Sequence, residues 1–446
     1  MQDLEQLSKA ELIAIILELR EEVAALREEV ARLREENQGP PSEQNGADKS
    51  IPHWVKANRQ KREKKERKKR PNAFVRRKDT PTETVCHAME RCPDCGRKLS
   101  GGWVHHTRQV IEIPVTPVRI IEHAIVARRC GVCGERYIPE VDLSQDVIGN
   151  HRVGLRLMSY VAYLHIIARI PLRTIQNLLV LQYGLHLGLG ELTEILHTVA
   201  EKGDPEKEKL LTEIRESPSV SADETGWRED GENGYIWSFS TPSVRYYLYN
   251  KSRSGDIPKE VIGDDFLGVV GCDFYAGYNG VLCDKQRCWT HLLRDLHKLK
   301  ERNPEDASVL SWAESVKAIY ERAKAFVSDA PKLRRRERRV LERELGKLAR
   351  RYSKKDVPQR VLAKRIENFL SELFVFVEYP GVPSDNNTAE RAIRPAVIIR
   401  KVSGGTRSPK GSNTKTTLMS LFQTWVMQGA NPLDRCRQML LASTFT

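Results

Sequence analysis

The chain puts one acid at the end of an apolar strand pattern, a second at the end of another, and a third at the start of a late helix. No other feature constrains the fold as much. Ser219-Val-Ser-Ala-Asp223 reads as a short strand ending in an acid. Tyr235-Ile-Trp-Ser-Phe-Ser and Val244-Arg-Tyr-Tyr-Leu-Tyr follow as β-rich runs entered through turn residues, which predicts an antiparallel meander. Phe266-Leu-Gly-Val-Val-Gly-Cys-Asp273 is another apolar strand with an acid at its carboxyl end. Ser384-Asp-Asn-Asn-Thr-Ala-Glu390-Arg opens a helix, with Ser384 or Asp385 as N-cap and Glu390 about one turn in. Between the second acid and the third lies a mostly helical insert, Lys285 to Tyr379.

Each acid alone is weak evidence, since a lone Asp is more often a cap or a surface charge. The order strand-Asp, meander, strand-Asp, helical insert, helix-Glu is more specific. It is what a ribonuclease H-like two-metal site requires: two Mg²⁺ (or Mn²⁺) ions ~3.5–4 Å apart need carboxylates from separate elements. The reading is a multidomain α+β chain. Its catalytic core is ribonuclease H-like α/β over 218–446, with a helical insertion at 285–380. Asp223, Asp273 and Glu390 are the expected catalytic and magnesium-binding acids.

At 446 residues the chain has room for roughly three domains at ~150 residues each. Its first 37 residues read as a coiled coil. Leu12, Leu19, Leu26 and Leu33 recur every seven residues, with Ile16, Val23 and Val30 on the second row. β-branched residues at a and Leu at d favour a parallel dimer, and Glu22 and Glu29 at g face Arg27 and Arg34 at e across the strands. The alternative is a single amphipathic helix packed on its own protein. Residues 38–80 read as a disordered linker and basic arm. Net charge is +13, and Lys/Arg outnumber Glu thirteen to two within 56–78, so the remainder is close to neutral. Arg59, Lys61, Arg62, Lys64, Lys65, Arg67, Lys68, Lys69 and Arg70 form its dense part. Such a run neutralises phosphates and releases counterions; the plainer alternative is a solvated charge run.

Residues 81–146 carry zinc spacing. Cys92-Pro-Asp-Cys95-Gly and Cys130-Gly-Val-Cys133-Gly are two C-x-x-C knuckles, each followed by a glycine that turns backbone N–H groups toward sulfur. Four thiolates suit a closed, structural Zn²⁺ site, and Val110–Val115 and Arg119–Val126 read as two strands of a zinc ribbon. No run approaches the ~18 apolar residues of a membrane span. The start, with acids and no apolar h-region, predicts no secretory signal.

Residues 147–217 read as three short helices, broken at Pro171 and at Tyr183-Gly184. They suit either a helix-turn-helix or a helical connector. Cys288-Trp-Thr-His291 opens the insert, as half a metal site or as a helix start near the groove. After Glu390, Arg394, Arg400 and Lys401 crowd one region, and Arg407 and Lys410 sit on a loop read as flexible and basic. Beside a metal site these suit a DNA backbone; an ordinary surface turn is the alternative. Thr414–Gln428 and Pro432–Ala442 read as closing helices, with Asn431 as cap and Pro432 at N1.

Across nearly its whole length the layout resembles the large transposase of the insertion-sequence-66 family. The motifs that carry the likeness are Ala222-Asp223-Glu-Thr-Gly-Trp227, Asp273-Phe-Tyr-Ala-Gly-Tyr278, Arg287-Cys-Trp-Thr-His291-Leu-Leu-Arg294 and Asp385-Asn-Asn-Thr-Ala-Glu390-Arg, with the zipper, basic linker and paired knuckles. The resemblance implies a DDE triad of Asp223, Asp273 and Glu390. It implies Mg²⁺ dependence, binding of double-stranded DNA at terminal inverted repeats and target, and strand cleavage followed by strand transfer. It also implies small helper proteins of the same element and a prokaryotic, nucleoid-associated place in the cytoplasm. Joining two ends implies a homodimer or larger assembly. Two other readings stay open: a zinc-containing dimeric DNA-binding regulator without catalysis, and a ribonuclease H-like nuclease.

Overall fold

A computed structural model describes residues 79–113 and 117–442. The zipper residues Leu12 to Leu33 and the basic arm Arg59 to Arg70 lie outside the described residues. The chain divides into two compact units at Glu112/Ile113.

In the first unit the knuckle Cys92–Cys95 is a tight turn: the Gly96 N–H donates to Cys92 O at 2.9 Å, the Cys92 N–H to Arg97 O at 2.8 Å, and Arg91 bridges Lys98 antiparallel. In the second unit a two-stranded ribbon, β1 (Arg128–Arg129) and β2 (Arg136–Tyr137), flanks Cys130–Cys133. The strands expected at 110–115 and 119–126 do not form in their described parts. β-Pairing stays at the knuckles, where a turn brings the two arms together locally; Ile111, Ile113 and Ile120 remain exposed with no sheet to cover them.

Helices α1 (Leu155–Ile166), α2 (Leu172–Tyr183) and α3 (Leu189–Glu216) follow. Gly184 ends α2 in the left-handed region at φ 62°, where a glycine carries no Cβ penalty. The third helix is not short: it runs 28 residues, through Pro205. Then come β3 (Ser219–Glu229), β4 (Glu232–Ser240), β5 (Arg245–Asn250), α4 (Asp256–Ile262), β6 (Val269–Cys272) and β7 (Asp284–Arg287). They form one sheet of order β5-β4-β3-β6-β7. The β3, β4 and β5 pairings are antiparallel, as the meander predicts, with Asp223 opposite Ser238; β6 and β7 add in parallel. Nothing in Asp284-Lys-Gln-Arg287 announces a strand from its residues; the parallel pairing to β6 makes it one.

The remaining helices are α5 (Trp289–Arg302), α6 (Ala307–Ala325), α7 (Pro331–Arg350), α8 (Arg360–Asn368), α9 (Val375–Glu378), α10 (Asn387–Ser403), α11 (Pro409–Met427) and α12 (Pro432–Ala442). Helices α5 to α9 carry their own core, with Trp289, Trp312, Leu341, Leu345 and Phe374 fully buried or nearly so. Trp289 stacks on Tyr320 at 4.7 Å. The larger core joins the sheet to α1–α3 and α10–α12. Among the described residues no helix is long and apolar enough to cross a membrane.

Strand β5 is a sheet edge, and α11 covers it. Tyr247 N–H donates to Ser420 Oγ at 2.8 Å and Arg245 N–H to Thr424 Oγ1 at 2.9 Å. Edge N–H groups buried under a helix need acceptors. That accounts for the buried hydroxyls of Ser420 and Thr424; of the other buried hydroxyls on this helix, Thr414 meets His197 and Thr417 meets Lys207 and Asp204.

Candidate active site

Asp223 does not end its strand as expected: β3 runs on to Glu229 because β4 pairs with it past the acid, so Asp223 lies mid-strand, while Asp273 directly follows β6 and Glu390 stands in the first turn of α10. Strands β3 and β6 are neighbours, so two of the acids meet at adjoining strands by topology alone. The helix is brought in by a latch. Asn386 Nδ2 donates to Ala222 O at 2.8 Å, one residue before Asp223. The Asn386 N–H donates to Cys288 Sγ at 3.2 Å. The Cys288 N–H donates to Cys272 O at 2.9 Å, one residue before Asp273. Two buried residues thereby stitch the three acid-bearing segments together. Asn386, not Ser384 or Asp385, is the N-cap of α10, and Asp385 instead accepts the Asn387 N–H at 3.0 Å. The sequence motif holds four adjacent polar residues, and helix-start rules cannot rank them; the tertiary bond to Ala222 does.

Asp223 feels the charge of both other acids. The Asp223 carboxyl is pushed up to about 7, first by burial, then by the charge of Glu224, with Asp273 and Glu390 adding to it; the Glu224 N–H on Oδ1 opposes the shift. Asp273 Oδ1 accepts the Tyr275 N–H at 2.8 Å. His291 Nδ1 lies 3.8 Å from Glu390 Oε1 and is buried without a hydrogen bond. Asn386 Oδ1 is likewise buried and unpartnered.

Two supporting networks escaped sequence reading. Fully buried Arg287 donates to Asp273 O at 2.7 Å, Asn279 Oδ1 at 2.6 Å and Glu372 Oε2 at 2.6 Å, fixing the backbone that presents Asp273. Glu224 is paired with Arg253 at 2.5 Å and accepts Tyr278 O–H at 2.6 Å. Arg253 in turn lies 3.9 Å over the Tyr275 ring. Arg287, Tyr275 and Tyr278 all fall in quoted motifs, but residue type alone does not say that they support a neighbour.

Among the described residues, no group of three or more His, Cys, Asp or Glu side chains stands close enough to hold a metal ion. The donor chemistry of the three acids nonetheless fits a hard divalent cation. They are carboxylates from separate elements with, among the described residues, no Lys or Arg paired to any of them, and one is held high, first by burial and then by like-charged neighbours. At the knuckles the Cys92 thiol is lowered by the backbone N–H groups of Cys95 and Asp94, and the Cys130 thiol by those of Cys133 and Val132. Gly96 and Gly134, at φ 73° and 75°, make the turns that aim those groups. Depressed thiols suit zinc ligation.

The basic residues expected near the site divide. Arg394, Lys401 and Arg407 are exposed. Arg400 points inward, to Gly226 O and Thr225 Oγ1. Lys410 pairs with Glu201 at 3.0 Å. The loop at 404–408 is pinned to β3: Thr406 N–H donates to Arg228 O at 2.9 Å, Asp230 N–H to Thr406 O at 2.9 Å, and Trp227 Nε1–H to Thr406 Oγ1 at 3.0 Å.

The sequence model of the transposase IS66 family matches residues 150–414, more than half of the chain and all three acids. The chain belongs to that family. The match excludes the zipper, basic arm and knuckles and takes in the three helices, the sheet and the insert. A protein of Sinorhizobium fredii (strain NBRC 101917 / NGR234), named Uncharacterized protein y4qI, is 24% identical over 325 residues, 64% of this chain. The chain spans 58% of the length of that relative.

Proposed function

We propose that this IS66-family chain is a DNA transposase with a ribonuclease H-like core, acting through Asp223, Asp273 and Glu390. The observation that carries the reading is the latch that gathers the three acid-bearing segments around a carboxyl pushed up to about 7. A site that gathers carboxylates without a Lys or Arg to neutralise them suits cations that do so. Asp223 and Asp273 would hold Mg²⁺ or Mn²⁺, and Glu390 would complete the set. When bound, the ions supply Lewis-acid activation and charge neutralisation at the scissile phosphate.

The chain's own contribution is position. Arg287 and the Tyr275 N–H orient Asp273, and Asn386 sets the depth of Glu390 relative to Asp223. His291 closes one wall beside Glu390. In the reaction proposed, a water oxygen bonds to phosphorus at the element's end as the P–O3′ bond breaks, leaving a 3′ hydroxyl and a 5′ phosphate. That hydroxyl then bonds to a target phosphorus in line, and the target's P–O3′ bond breaks. A sole nuclease would perform the first displacement without the second.

Around this core we assign double-stranded DNA contacts to the basic arm and to exposed Arg394, Lys401 and Arg407, with Arg400 and Lys410 bracing their segments. Cys92, Cys95, Cys130 and Cys133 are assigned to Zn²⁺, and the heptad residues to a homodimer that brings two ends together. Helper proteins of the same element and a place at the nucleoid belong to the same reading. Substituting Asp223→Ala should abolish Mg²⁺-dependent cleavage of end DNA, by at least about 10³-fold, while duplex binding stays within twofold; retained cleavage would overturn the assignment. Joined products from the unmodified chain separate a transposase from a nuclease.

A further inference from the structure

Helix α7 sorts its basic residues onto two faces. Arg334, Arg335 and Arg338 face the insert: Arg335 and Arg338 both bond Glu378, each at 2.8 Å, and Arg334 donates to Glu378 O at 3.1 Å. These three tie α7 to α9. Lys332, Arg336, Arg339, Arg343, Lys347 and Arg350 are all exposed, and among the described residues no carboxylate lies within ion-pair distance of any of them. At 100° per residue the six fall within an arc of about 80° and span about 27 Å of helix. The stripe has steps of four, three, four, four and three residues.

Packing does not call for this stripe. Like charges at i,i+3 and i,i+4 repel and lower helix stability, and the insert's core uses other positions, Leu341, Leu345 and Ala349. Elsewhere on this helix charge is met. Glu344 of this same helix is met by Arg322 of α6 at 2.6 Å, and the inward arginines are all partnered. The uncompensated charge of α7 is confined to one line on one face.

We infer that this face of α7 is a second DNA-binding surface, on which the phosphate backbone of a duplex lies along the six cations. A straight row of cations with one turn between neighbours fits a regular polyanion. It has no base-reading geometry, so the contact positions the duplex without reading its sequence. The inference rests on the reading of the chain as one that acts on DNA. It does not rest on the three acids, and it adds a surface roughly 60 residues upstream of the basic residues of α10.

The test uses the full chain without divalent metal and a fluorescein-labelled 30-base-pair duplex of arbitrary sequence, with anisotropy followed from low to moderate salt. The variant carries Arg336→Gln, Arg339→Gln, Arg343→Gln and Lys347→Gln together. Each lost phosphate contact removes about 0.9 from the slope of log affinity against log salt. The expected result is a slope shallower by about 2 to 4 and affinity at least tenfold weaker near 0.1 M salt. A variant with unchanged circular dichroism, unchanged melting and an unchanged slope overturns the inference. Should the variant not fold, a photo-crosslinking residue at position 343 in an otherwise unaltered chain decides: crosslinked duplex supports the surface, its absence overturns it. If the unaltered chain binds no duplex, the DNA reading falls with it. If it binds and only the α7 variant is indifferent, this surface alone is wrong.

Discussion

Asn386 does more for the site than its place in a polar run suggests. Its amide spans from α10 to the backbone beside Asp223, and its own N–H meets Cys288. Removing it leaves Ala222 O and the start of α10 without their common partner. Asn386→Ala should therefore lower kcat for cleavage at least tenfold with KM for DNA little changed, because a positioning group acts on the reacting geometry rather than on duplex affinity; steady-state cleavage assays check this. Lys415 is the other single residue with a measurable signature. It is buried against His165, and burial lowers its amine to about 7; burial and the Lys415 charge lower His165 to about 3. His165 Nδ1 lies 2.9 Å from Ile170 O, so Nε2 is left to accept from the amine. A lysine whose folded pKa is depressed contributes stability present above its unfolded value, and that stability is lost as pH falls toward 7. Lys415→Met should accordingly raise Tm at pH 7, and the gain should shrink as pH rises toward 10. Melting curves across that range would show it, and a gain that grows with pH would contradict the assignment.

At the scale of elements, the pairing of β5 with α11 shows how a polar helix face can be structural. Ser420 Oγ accepts the Tyr247 N–H and itself donates to Thr416 O at 2.8 Å. Ser420→Ala leaves a buried strand N–H unmet, at a cost of about 1–3 kcal/mol, and should lower Tm with near-normal circular dichroism. The same pattern explains a sequence reading that went astray. Ser403 to Ser412 has the glycine and charge content of a flexible loop, yet Gly405, at φ 129°, lets the backbone run against Arg228. A Cβ there would run into Arg228 O. Gly405→Ala should break the Thr406 bridge to β3 and destabilise the chain by about 2–4 kcal/mol, read by denaturant titration. The insert, with its own core of Trp289, Trp312 and Leu345, hangs from the sheet through β7 and α5, so its basic face is presented by a separately packed body.

At the scale of the whole molecule, the proposed transposase is a set of parts with different jobs: a heptad segment, a basic arm, two knuckles, three helices, a sheet with its acids, and an insert. The proposed zinc is the part most directly open to measurement. The Cys92 and Cys130 thiols are lowered by backbone N–H groups, and we expect about one Zn²⁺ per chain by elemental analysis if four thiolates close one site. Cys130→Ser should cut that content to near zero, with duplex cleavage by the core tested in parallel. A full-length chain free of zinc after purification without chelator would remove the metal from the reading.

Short-range patterns were enough to find the strand that holds Asp223, though not its length, the strand that Asp273 follows, the meander between them, the break at Gly184 and the helix of Glu390. Each depends on period, turn chemistry and residue type within a few neighbours. The motif string also sufficed for the family. Beyond reach were β7, the latch of Asn386 and Cys288, the inward turn of Arg400 and the pinning of Thr406. All of these are pairings between residues far apart in the chain, and no local propensity encodes them. The knuckles show the boundary: their turns are local and form as expected, whereas the strands drawn between them needed partners that local pattern does not supply. Charge follows the same division. The sequence counts the arginines of α7, but the fold alone settles which of them meet Glu378 and which are left facing solvent, because a carboxylate must be brought to within bonding distance to neutralise a cation.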